Sequence, residues 1–219
     1  YITVTLSNTN NGADSSGDKG RHGGLSDFGR QVVLDMNRLG MLVDISHVAD
    51  DTFWDALETS EAPLIASHSS CRALCNVPRN MTDEMITAMA KKGGVIHINF
   101  ACGFLSQATA DWTRANRQSM GAAGAALPPG MPRATLEDAV AHIDHAVKIA
   151  GIDHVGIGSD FDGISCSPER LSHVGEFPNL TRALREKGYS EEDLRKIYRD
   201  NTLRVMEQAE AVARRLGDR

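Results

Sequence analysis

Apolar positions along the chain alternate between short β-like runs and stretches of helical spacing. Tyr1-Ile-Thr-Val-Thr-Leu6 is rich in β-branched residues and reads as a strand, followed by a polar, Gly- and Asn-rich loop from Ser7 to Gly24. Ser26 then caps a predicted helix carrying Phe28, Val32, Val33, Met36 and Leu39, and Gly40 ends it. Met41-Leu-Val-Asp-Ile-Ser46 has strand length and is closed by His47. Asp50 or Asp51 is expected to cap a helix through Phe53, Trp54 and Leu57. Pro63-Leu-Ile-Ala-Ser67 is a third strand, closed by His68.

The alternation continues to the end of the chain. Thr82 caps a helix with Met85, Ile86 and Met89, stopped by Gly93-Gly94, and Val95-Ile-His-Ile-Asn-Phe100 is a fourth strand. Residues 101–133, rich in Ala, Gly, Ser and Pro in their second half, read as a long functional loop or lid. Thr135 with Asp138 forms a capping-box pattern ahead of Leu136, Val140, Ile143 and Val147. His154-Val-Gly-Ile-Gly-Ser159 is a fifth strand ending at Asp160, and helices are expected near 177–187, 191–199 and 202–216.

Five strands alternating with helices predict a parallel α/β architecture in one domain over residues 1–219. A doubly wound sheet and a (β/α)8 TIM-type barrel compete. Gly156-x-Gly158 lacks the third glycine of a dinucleotide turn, since Phe161 stands there. Polar residues at the C-terminal ends of several strands favour the barrel, whose active sites are built on that rim. The chain begins inside a strand, so it is expected to be the later part of a longer barrel, about the last five repeats. Five parallel strands alone would leave two open edges, which predicts poor solubility or association for the 219 residues in isolation.

Composition narrows the function. The chain has 23 Lys and Arg against 29 Asp and Glu, a net charge of −6 without a basic block, which argues against nucleic acid and anionic membranes as partners. No run of about 18 apolar residues suggests a membrane span. A small molecule is the expected partner, a homo-oligomer is compatible, and a soluble, cytoplasmic protein is favoured over a secreted one. Four cysteines in 219 residues do not describe a disulfide scaffold, and Cys71 and Cys75 read as small buried or semi-exposed side chains rather than a thiolate pair.

His47 and His68 are the first candidates for chemistry. They are 21 residues apart, about one strand-helix repeat, so both fall on one rim at adjacent strands. Two neutral imidazoles on rigid strands suit a divalent ion such as zinc, although a lone strand-end histidine is more often an ordinary hydrogen-bonded residue. Asp160 is the third strand-end candidate and can take a proton, a substrate ammonium or a metal; Asp162 is the expected residue to close the turn through Gly163. Arg79 lies on the loop after His68 and can clamp a carboxylate with its planar fork, or be a solvated loop arginine. His142-Ile-Asp144 mimics a metal motif but lies mid-helix, where residues two apart diverge by about 200°. His22, His97, His145, His154 and His173 are read as structural or loop residues.

Several strings together resemble the renal (membrane) dipeptidase family. They are Gly24-Leu-Ser-Asp-Phe-Gly29, Met36-Asn-Arg-Leu-Gly-Met-Leu-Val-Asp-Ile-Ser-His47, Ala62-Pro-Leu-Ile-Ala-Ser-His-Ser-Ser70, Pro78-Arg-Asn80, Val155-Gly-Ile-Gly-Ser-Asp-Phe-Asp-Gly163 and Asp200-Asn-Thr-Leu-Arg-Val205. The resemblance implies an amidohydrolase-type barrel with two zinc ions and an activated hydroxide that cleaves dipeptides. On the matching motifs it implies His47 and His68 as ligands of one zinc, Arg79 as a group for the substrate carboxylate or oxyanion, and Asp160 as catalytic and substrate-binding through the free amine. The family's His-x-Asp pair and bridging glutamate have no counterpart in this chain, whose match begins at about the family's fourth strand. Where that strand ends in a substrate-binding histidine, Leu6 stands here. A non-catalytic barrel, and an amidohydrolase acting on a non-peptide amide, therefore remain the alternatives.

Overall fold

The computed structural model describes residues 2–3, 11–17, 19–119 and 127–217, with the backbone alone for 2–3 and 119. Among the described residues five parallel strands pair in chain order: β1 (Ile2–Thr3), β2 (Val43–Asp44), β3 (Ile65–Ser69), β4 (Val95–Ile98) and β5 (Val155–Ile157). Each strand lies beside its predecessor, so the winding never reverses as it does in a doubly wound sheet. Among the described residues β1 and β5 are the outer strands, each paired on one side.

Helix ends follow from local chemistry. In α1 (Asp27–Leu39) the Ser26 hydroxyl accepts the Gly29 N–H, and Gly40 terminates the helix at φ 70° while its N–H reaches the Met36 and Asn37 carbonyls. Val33 and Met36 are buried, but Phe28 and Leu39 are about 70% exposed. The apolar stripe is thus narrower than the sequence spacing implies. In α2 (Asp50–Thr59) the N-cap is Ala49, which makes no side-chain cap bond. Neither aspartate caps it: both lie in the first turn, and Asp50 is committed to a two-pronged ion pair with Arg72 at 2.6 and 2.7 Å. Thr82 caps α3 (Asp83–Lys91), and Thr135 and Asp138 form the expected capping box of α6 (Leu136–Ala150).

Residues 101–133 are less irregular than expected. They hold α4 (Cys102–Leu105), α5 (Gln107–Ala115) and a 3-10 turn at Arg117–Ser119, with Ser106 capping α5 through the Thr109 N–H. The last helices are α7 (Phe177–Glu186), α8 (Glu191–Arg195) and α9 (Asn201–Gly217). A π turn at Lys196–Asp200 joins the last two without a break, so the gap expected near residue 200 is absent.

The main core lies between the sheet and its helices and includes Phe53, Ile86, Ile96, Ile98 and Ile143. A smaller core joins Leu42, Ile65 and Val95 to Val205 and Ala209 of α9. That helix crosses the edge where strands begin: Arg204 donates to the carbonyls of Gly93 and Asp153, and Asn201 to those of Ile152 and Val155. The opposite edge, where strands end, is left for the site. Gly156 of β5 and Gly158 just after it also find their reason here. A Cβ on Gly156 would lie 2.4 Å from the His97 ring, and one on Gly158 would lie 2.0 Å from the Ser67 carbonyl oxygen. They permit close strand packing.

Candidate active site

β2 ends two residues earlier than its apolar run suggests, because Asp44 replaces the ladder. This fully buried carboxylate accepts the N–H groups of Ser46 and Ser67, at 3.0 and 2.9 Å, and the Ser67 hydroxyl at 2.5 Å. The chain then turns, and His47 takes a left-handed backbone with φ 75°. A non-glycine residue in that region signals a position held by its surroundings. On β3 the pairing with β4 is irregular between Ala66 and Ser69, a bulge that re-aims His68 within the strand; the predicted strand end at Ser67 is overrun by two residues.

These two devices bring the imidazoles together. His47 Nε2 lies 2.8 Å from His68 Nε2. The other nitrogen of His68, Nδ1, lies 2.7 Å from Ser67 Oγ. Asp44 can only accept, so the Ser67 proton goes to Asp44 and Ser67 Oγ accepts from His68 Nδ1–H. That leaves a lone pair on His68 Nε2, directed at His47. Burial, then the Arg79 guanidinium and His68, push His47 down to about 4. Burial and Arg79 lower His68 as well. Both rings are neutral near pH 7, the form that binds a cation.

Arg79 is half-buried rather than a solvated loop residue. Its Nη2 donates to the His68 carbonyl at 3.1 Å, and its guanidinium carbon sits 5.2 Å from the centre of the Phe104 ring. Burial lowers its pKa to about 10, against the pull of Asp160 and Asp44, so it keeps its charge at neutral pH. Asp160 has φ 60°, and Asn99 Nδ2 donates to its Oδ2 at 3.1 Å. The turn after it is closed by Asp160 itself, whose carbonyl accepts the Gly163 N–H; Asp162 does not supply that bond. A Cβ on Gly163 would fall 2.3 Å from Asp160 Oδ1, which explains the glycine.

His47, Arg79 and Asp160 line one cleft of about 320 Å³, together with Phe104, Met131 and Ile164. The disulfide Cys102–Cys166 forms part of the same wall and ties α4 to the loop after β5. A larger groove of about 550 Å³ on α7, around Phe177 and Tyr198, contains no strand-end residue. His142 is buried and satisfied, accepting the Cys71 N–H and reaching the Leu105 carbonyl, so its structural reading holds. His97 is likewise buried, between the Ala66 carbonyl and the Thr202 hydroxyl.

The donor set fits part of a metal centre. Two neutral imidazoles converge, one with its tautomer fixed, but among the described residues no group of three or more His, Cys, Asp and Glu side chains gathers to complete it. Leu6 lies outside the described residues. Sequence reading missed Asp44, Ser67, Asn99 and the disulfide. A charged residue inside an apolar strand, as Asp44 is, was the one available signal.

Imidazole, guanidinium and carboxylate groups thus gather in a strand-end cleft of a parallel α/β sheet. The chain belongs to the membrane dipeptidase family (peptidase family M19), whose profile matches residues 1–219. It is 38% identical over 194 residues to an uncharacterized dipeptidase of Schizosaccharomyces pombe, covering 88% of this chain and 42% of that one. Among solved structures it is similar to the probable dipeptidase PvdM from Pseudomonas aeruginosa, with TM-score 0.84 and 30% identity over 96% of this chain and 62% of that one. A second is a metallo peptidase from Rhodobacter sphaeroides liganded with a phosphinate mimic of the dipeptide L-Ala-D-Ala, with TM-score 0.70 and 34% identity. It covers 85% of this chain and 47% of that one. The chain spans 42% to 50% of the length of the curated relatives it matches. No helix among the described residues is long and apolar enough to cross a membrane.

Proposed function

We propose that this chain forms about five strand-helix repeats of a (β/α)8 barrel that hydrolyses dipeptides with zinc. The observation that carries the reading is the 2.8 Å approach of His47 and His68 Nε2 beside a cleft that also contains Arg79 and Asp160. His47 and His68 would hold one zinc ion; the remaining ligands of a two-ion site would come from outside this chain. When bound, zinc supplies Lewis acidity, polarising the scissile carbonyl and acidifying water.

The chain's own residues supply recognition. Arg79 keeps guanidinium N–H groups beyond the one on the His68 carbonyl, and these bind the substrate's terminal carboxylate. Asp160 receives the free ammonium. A cation and an anion at two fixed places measure the length of a dipeptide, because a longer peptide puts its second terminus elsewhere. Phe104, Met131 and Ile164 give the same cleft apolar walls, beside which both charged contacts are stronger than in open water.

The test is metal content by elemental analysis, with dipeptide hydrolysis, on the whole protein. About two zinc ions and turnover of free dipeptides are expected, with one zinc ion and the turnover lost in His68→Ala. Zinc without dipeptide turnover would move the reading to a non-peptide amide. Absence of metal would leave a non-catalytic barrel.

A further inference from the structure

Asn99 sits where β4 gives way to the cleft and is fully buried. Its two amide atoms have separate duties. Asn99 Oδ1 accepts the Ala101 N–H at 2.5 Å. A backbone N–H can only donate, so this bond fixes which end of the amide is oxygen. The NH2 end must then face Asp160, and Nδ2 donates to Asp160 Oδ2 at 3.1 Å.

Asp160 needs such a partner. Its backbone is left-handed at φ 60°, and the side chain fits only because Gly163 leaves room for Oδ1. The left-handed turn carries Asp160 into the cleft, and the bond from Asn99 is what holds its carboxylate in one orientation there. Asn99 fixes one oxygen, which leaves Oδ1 for a ligand. We infer that Asn99 is a positioning residue: it locks the Asp160 carboxylate in the orientation that receives the substrate's ammonium, and so sets the demand for a free amine. This inference rests on the role given to Asp160 above.

The isosteric change Asn99→Asp separates this role from a structural one. It keeps the acceptor for the Ala101 N–H and replaces the neutral donor facing Asp160 with a second carboxyl, which repels Asp160 or shares a proton with it and so weakens its hold on an ammonium. Asn99→Ala removes both. The readout is kcat/KM for a free dipeptide divided by that for its desamino analogue, in the whole protein, with bound metal and Tm recorded alongside. In the wild type the ratio favours the amine. Asn99→Asp is expected to lower it about tenfold or more, the worth of one hydrogen bond to a charged group. Desamino turnover should fall less than dipeptide turnover, and metal content and Tm show how much of any common loss comes from burying a carboxyl there. Asn99→Ala/Asp160→Asn should be no worse in this ratio than Asp160→Asn alone.

An unchanged ratio in Asn99→Asp, or an equal fall for both substrates, would overturn the inference. A wild-type protein indifferent to the amine would overturn the role of Asp160 instead, before any variant is compared.

Discussion

Ser67 Oγ stands between the Asp44 carboxylate, at 2.5 Å, and His68 Nδ1, at 2.7 Å, so a buried charge on β2 sets the tautomer of a histidine on β3. Hydrogen-bonded partners of this kind orient a metal ligand, and their loss costs about 10–100-fold in metal affinity. Ser67→Ala removes the acceptor for His68 Nδ1–H and leaves both imidazoles in place. Zinc affinity of the whole protein, titrated against a competing chelator, is expected to fall by roughly that factor. An unchanged affinity would mean that His68 needs no support from Asp44.

Arg79 combines a bond to the His68 carbonyl with stacking on Phe104, and both depend on a planar guanidinium. Lysine offers a point charge on a flexible stem. In Arg79→Lys, kcat/KM for a dipeptide is expected to drop about 10- to 100-fold, the worth of a charge-assisted bond. Most of the effect should fall on KM. An analogue lacking the terminal carboxylate should be much less affected. Equal losses for both substrates would separate Arg79 from carboxylate binding.

How far the sequence reaches is clear from individual residues. Ser26, Thr82 and Thr135 announced their helices because capping is a contact within three residues. Strand ends were harder: Asp44 takes the N–H groups that would extend β2, and its partner Ser67 is 23 residues away. The strand-end histidines could be paired by counting one repeat, but not their 2.8 Å approach, which depends on a left-handed backbone at His47 and a bulge beside His68. Asn99 gave no signal, since an asparagine after an apolar strand resembles any loop residue. Cys102 and Cys166 are 64 residues apart, and only the folded chain brings them together.

That bridge leads to a stability prediction. Closing a loop across 64 residues restricts the unfolded chain, and the chain-entropy relation places the benefit at about 4 kcal/mol. Measured values are often lower, so a loss of about 2–4 kcal/mol is expected for Cys102→Ser/Cys166→Ser in urea unfolding. The bridge also forms a wall of the cleft, so KM for a dipeptide should rise more than kcat falls. A midpoint equal to that of the wild type would mean that the two thiols are not joined in solution.

Acid should weaken the fold through His142. Its Nδ1 accepts the Cys71 N–H at 3.0 Å and its Nε2 faces the Leu105 carbonyl at 3.1 Å, an arrangement only the neutral Nε2–H ring satisfies. A proton added at Nδ1 would confront a backbone donor inside the core. Burial pushes this histidine from 6.5 down to about 4, against the pull of the Leu105 carbonyl and Asp138. The folded value lies below the unfolded one, so the unfolded chain binds the extra proton between them. The contribution is therefore fully present above pH 6.5 and is lost as pH falls toward 4. The shift corresponds to about 3 kcal/mol. Urea unfolding from pH 7 to pH 4 should trace this loss, and His142→Gln, less stable at pH 7, should lose less on acidification. An equally steep loss in the variant would assign the acid sensitivity to other groups, beginning with buried His97, whose pKa burial also lowers.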